Sequence, residues 1–99
     1  MLLIVGTVRI PAENLNDARY AMQEMIEASL EEEGCVTYAY SEDVIEPGLI
    51  HVTEAWRDRE ALEAHFASEH LAEWRANWER FGIHDRDLKL FDAGKPEQL

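Results

Sequence analysis

The apolar positions of this chain change their period as they run from one end to the other. Residues 2–10, LLIVGTVRI, are apolar and β-branched and stop at Pro11, which reads as a buried strand. Leu15, Ala18, Met22, Met25, Ile26 and Ser29 then recur with the 3.6-residue period of a helix. Asn14 is expected to cap that helix, Asp17 to favour its positive end, and Gly34 to close it. From Cys35 to Asp43 the period drops to two, with Val36, Tyr38 and Tyr40 on one face and Thr37, Ala39 and Ser41 on the other. Glu46-Pro47-Gly48 has proline and glycine where a type II turn wants them. The next strand, Leu49 to Arg57, places Ile50, Val52, Glu54 and Trp56 together, so the two strands form a hairpin.

Asp58 is positioned to cap a second helical region, which does not hold one phase. Leu62, His65 and Phe66 share a stripe, whereas Leu71, Trp74 and Trp78 form another, rotated by more than about 100° on an ideal helix. Ser68 can start a fresh helix. Two segments, 58–67 and 69–80, are therefore expected, with a bend near Ser68–His70. A last strand, Asp87 to Phe91, precedes the polar tail AGKPEQL. The order strand, helix, strand, strand, helix, strand is that of a ferredoxin-like α+β fold, an antiparallel sheet with helices on one face. One domain over residues 1–92 with a tail at 93–99 is expected. The uncovered sheet face calls for a second copy of the chain.

Composition sharpens this picture. Nine basic residues against 21 acidic ones give a net charge of −12, a field that disfavours nucleic acid and anionic membrane surfaces as partners. It also favours a ligand that enters neutral. Glu31–Glu33 reads as a solvated run at a helix end. The apolar opening MLLIV is too short for a signal core, and a single cysteine allows no intrachain disulfide, so a cytoplasmic location is expected.

GCVTYAY (34–40), EAW (54–56) and ALEAHFASEHL (61–71) together carry a likeness. On these residues the chain resembles the antibiotic biosynthesis monooxygenase family of dimeric α+β barrels. The resemblance implies a homodimer whose two sheets form a barrel, with a pocket between each protomer's sheet and its helices. It also implies a choice of activities. The family includes oxygenases without a cofactor that turn phenols or hydroquinones into quinones, haem degraders, and isomerases of small metabolites. Trp56 matches the family's strand tryptophan, and Val52 stands where some oxygenating relatives carry asparagine. The first strand offers only Gly6 and Thr7 where haem degraders use asparagine, so haem degradation is not expected.

His65 and Trp56 are the candidate catalytic pair, the imidazole as a base of ordinary pKa near 6.5 and the indole as a stacking wall or N–H donor. Tyr38, Val52, Leu62, Phe66, His70 and Arg75 are the candidate substrate contacts, although Leu62 and Phe66 are most simply core. The two histidines are five residues apart, about 140° on a straight helix, whereas metal-binding pairs sit four apart, so no metal is expected. No glycine-rich phosphate loop occurs, and no cofactor is expected. Three functions compete: a monooxygenase on a small phenolic or quinol-type aromatic with dioxygen as co-substrate, an isomerase or tautomerase, and a ligand-binding barrel without catalysis.

Overall fold

The computed structural model describes residues 1–99. Its elements are β1 (Leu2–Arg9), α1 (Leu15–Leu30), β2 (Cys35–Glu42), β3 (Leu49–Trp56), α2 (Arg59–Phe66), α3 (Glu69–Ala76), α4 (Trp78–Phe81) and β4 (His84–Asp92). The sheet runs β2-β3-β1-β4 with every neighbouring pair antiparallel. This is the ferredoxin-like α+β arrangement, with the helices on one face. No helix is long and apolar enough to cross a membrane.

Strand alternation decides what faces the helices. Leu2 pairs with Trp56, Ile4 with Glu54, Gly6 with Val52 and Val8 with Ile50, so these residues share one face. All but Gly6 are buried, and Ala18, Met22, Met25, Leu62, Leu71 and Trp74 pack onto them from the helices. The opposite face holds Val5 and Phe91, each about half exposed. Gly6 is required by the neighbouring strand, because a Cβ there would overlap the carbonyl oxygen of Asp87. Next to it the β1–β4 register shifts, between Thr7 and Arg9. The close approach brings Leu88 opposite Gly6 and Leu90 opposite Ile4, on the helix side of the sheet.

The hairpin turn is type II as expected. Leu49 N–H donates to the Glu46 carbonyl at 3.3 Å, and Gly48 takes φ +82°. Asp58 caps α2 by accepting from the Ala61 N–H at 2.9 Å. The bend after α2 is present, with Ser68 Oγ accepting from the Leu71 N–H at 3.4 Å. The apolar stripe changes phase there, so a straight helix would expose one half of it. A second interruption at Asn77 separates α3 from α4, and the Asn77 side chain donates to the Glu73 carbonyl at 2.9 Å.

Four local expectations need correction. Asn14 makes no cap; a 3₁₀ turn, Ala12–Asn14, leads into α1, and the Asn14 amide donates to the Phe81 carbonyl at 2.9 Å. Here a tertiary partner outcompetes the local one. The helix ends at Leu30, so Gly34, at φ +83°, makes the turn into β2. Val36 falls at a register shift between Cys35 and Thr37 and is left 53% exposed, off the face that Tyr38 and Tyr40 share. Finally, β4 begins at His84, three residues before the apolar run that marked it.

Candidate functional site

The turn that follows α1 sets the site. Gly34 packs so closely on α2 that a Cβ would strike Ala61, and the turn lays Glu32 against the end of that helix. Glu32 Oε2 lies 2.8 Å from Nδ1 of His65. An ionised carboxylate can only accept, so Nδ1 carries the proton and Nε2 keeps its lone pair. No hydrogen bond within the chain engages Nε2. His65 is 1% exposed, with its ring 4.6 Å from that of Trp56 and 5.3 Å from that of Tyr38. Burial pushes its pKa below the usual imidazole value, against the opposing pull of Glu32. The result is a neutral, oriented imidazole at neutral pH.

Glu54 is the second titratable group. The two-residue period of β3 turns it inward between Val52 and Trp56, and it is 5% exposed. Its one hydrogen bond within the chain comes from the Trp56 indole N–H at 3.0 Å. Burial holds its pKa above the ordinary carboxyl range, countered by that bond and by the more distant Arg86 and Arg75. Burial likewise raises Tyr38 and Tyr40, which remain neutral phenols.

These groups meet at a cleft of about 140 Å³ between the β4 side of the sheet and the helices. Ile4, Tyr38, Glu54 and His65 line it, and Phe66, Arg75, Arg86 and Leu90 border it from more exposed positions. Both arginines lie over Trp78, at 6.0 and 5.9 Å from its ring centroid. Neither has a carboxylate within ion-pair distance, although the chain has 21 acidic residues.

Of the residues expected from sequence, Tyr38, His65, Phe66 and Arg75 border this cleft. Trp56 and His65 do meet, but by direct ring contact and not across a cavity, because Trp56 is fully buried behind the wall. Val52 and Leu62 are likewise buried beneath it and do not line it. His70 faces away, toward Glu32 and a groove between α1 and α3. Sequence reasoning passed over Glu54, Arg86 and Glu32. Alternation along β3 already placed Glu54 on the apolar face, which was the usable signal. Glu32 was hidden in a run of three glutamates; its side chain is 17% exposed and bound to histidine instead of solvated.

The raised pKa of Glu54 makes a signed prediction. A folded-state pKa above the unfolded value of 4.5 means the native state holds a proton that the unfolded chain releases. Stability from this group is therefore complete below about pH 4.5 and is lost as pH rises through the folded pKa. Glu54→Gln should match the parent in acid and become progressively more stable than it toward neutral pH. Urea unfolding followed from about pH 4 to pH 8 measures this; a difference that does not change with pH contradicts it.

Comparison with known proteins agrees with this architecture. The family described as antibiotic biosynthesis monooxygenase matches residues 1–77. A Deinococcus radiodurans structure, described as a candidate antibiotic biosynthesis monooxygenase, is 25% identical with a TM-score of 0.90, covering 100% of this chain and 98% of that one. A Bacteroides thetaiotaomicron protein of unknown function, described as a possible oxidoreductase, is 29% identical with a TM-score of 0.73, covering 91% and 90%. An uncharacterised Synechocystis protein, sll1783, is 29% identical over 98 residues, covering 99% of this chain and 67% of that protein. With the family match spanning most of its length, this chain belongs to the antibiotic biosynthesis monooxygenase family.

Proposed function

We propose that the protein is a monooxygenase that converts a small phenol with a free para position into the corresponding quinone, using dioxygen and no added cofactor. The observation that supports this most is the pairing, in one small apolar cleft, of a neutral imidazole with a buried carboxyl group biased toward its acid form. Burial lowers the proton affinity of the imidazole and raises that of the carboxyl, bringing the two closer, so that one can take a proton and the other give one in the same cleft. A cavity of about 150 Å³ can hold benzene, so the cleft suits a single ring.

The electrons balance without a further reductant. Phenol and dioxygen give para-quinone and water; the ring loses four electrons, one oxygen atom is inserted and the other leaves as water. His65 Nε2 takes the phenolic proton, and Glu32 on Nδ1 stabilises the imidazolium that forms. The phenolate passes one electron to dioxygen, and the two radicals join at the para carbon to give a peroxide. The imidazolium returns its proton to the terminal peroxide oxygen, and loss of the para hydrogen as a proton then breaks the O–O bond, that proton replacing the one Glu54 gives up. Glu54 protonates the departing hydroxide, and the carbonyl forms. Tyr38 and Leu71 keep bulk water from the ring, while Arg75 and Arg86 at the rim offset the −12 charge where the phenolate forms.

Dioxygen uptake with a panel of single-ring phenols should be stoichiometric with quinone formation. His65→Ala should slow it about 10²-fold or more, the usual weight of a positioned base. The acid limb of kcat/KM should lie below pH 6.5, because burial depresses His65. Uptake no faster than without protein counts against the proposal. Turnover that persists without oxygen favours an isomerase or tautomerase using the same two groups.

We also propose that two copies pair through the sheet face opposite the helices, completing a dimeric barrel. Val5 and Phe91 on that face would otherwise meet water. Light scattering at micromolar concentration should give twice the chain mass, and Val5→Lys should shift it toward the monomer. A monomeric parent contradicts the pairing.

A further inference from the structure

We propose that Glu32, His65 and His70 form a binding site for a divalent transition cation of the zinc class, entered from the groove between α1 and α3. One donor atom from each residue lies within 4.8 Å of the other two. Glu32 Oε2 is 2.8 Å from His65 Nδ1, and Oε1 is 3.1 Å from His70 Nε2. Donors about 2.0–2.1 Å from a zinc ion stand roughly 3–3.5 Å from one another, so modest side-chain shifts create the coordination shell. The two histidines are not 140° apart on one straight helix, because α2 ends at Phe66 and α3 begins at Glu69. The break places the two imidazoles on different helices, both turned toward one carboxylate.

His70 gives the independent sign that something is missing. Its Nε2 is buried and has no hydrogen-bond partner, since the 3.1 Å approach to Glu32 is too poorly aligned to count as one. If Nε2 is protonated, its bond is bent; if it is not, its lone pair faces a carboxylate oxygen. A cation between them, with the His70 ring proton on Nδ1, uses that lone pair and the carboxylate oxygen together.

The surroundings favour entry of a cation. A groove of about 260 Å³ leads past His70, lined also by Glu24, Glu73 and Trp74, and the two carboxylates lie on the path. The net charge of −12 raises the local concentration of cations. Two imidazoles and one carboxylate suit zinc, cobalt, nickel or copper, whereas calcium and magnesium prefer oxygen donors alone. Three protein ligands leave a position for water.

Binding itself does not depend on the reaction proposed above, but its consequence for that reaction does. A metal on Nδ1 displaces the proton to Nε2, turning the nitrogen meant to act as a base into a donor. Occupancy would then silence His65.

Equilibrium dialysis of the metal-free protein against Zn²⁺, with Co²⁺ absorption as the coordination readout, tests the site without any turnover. One ion per chain is expected, with Ca²⁺ and Mg²⁺ failing to compete. His70→Ala and Glu32→Gln should each weaken binding by at least about 100-fold, the upper end of the loss caused even by outer partners. His70→Ala, at a partly exposed position, should keep the parent's far-UV circular dichroism, and Glu32→Gln guards against a fold effect of the first variant. No stoichiometric binding by the parent, or undiminished binding by a folded His70→Ala, overturns the site.

Discussion

The hydrogen bond between Glu32 and Nδ1 of His65 is the constraint on which the rest of the site depends. It joins the turn after α1 to the last turn of α2, two segments 33 residues apart. A histidine this deeply buried is expensive if charged and poorly oriented if unpaired. One carboxylate oxygen removes the second problem by fixing both tautomer and ring direction. The same contact sets which nitrogen is left for chemistry. Gly34 makes it possible, because only a residue without Cβ can bring the turn so near Ala61 while holding φ at +83°.

Burial acts on the two inward titratable groups with opposite consequences. It disfavours charge on both, so it lowers the pKa of His65 and raises that of Glu54. A nitrogen biased toward its neutral form and a carboxyl biased toward its acid form thereby share one cleft. Leu88 and Leu90 of β4 line the cleft together with Ile4 and Glu54. Trp56 links the two groups physically, with its ring against His65 and its N–H on Glu54. It touches both from behind the wall.

Much of this was legible in the sequence. Period-two alternation groups Tyr38 with Tyr40 on one strand and Val52, Glu54 and Trp56 on the next, and the phase change between Phe66 and Leu71 locates the helix break. What failed were inferences that needed tertiary partners. Asn14 looked like a cap until Phe81 claimed it, and Glu32 looked like solvent-facing charge until two histidines claimed it. The bulge at Val36 could not be foreseen, because alternation assumes a register without insertions. The five-residue spacing of His65 and His70 does not measure their separation, because the break between α2 and α3 sets them on different helices.

His65 is held neutral, with its proton on Nδ1 and Nε2 free. Long-range ¹H–¹⁵N correlation of the histidine rings, followed as a function of pH in the metal-free protein, measures both properties directly. An Nδ1–H tautomer for His65 and a midpoint below the unperturbed value of 6.5 are expected. An Nε2–H tautomer, or a ring that titrates at or above that value, would contradict this assignment.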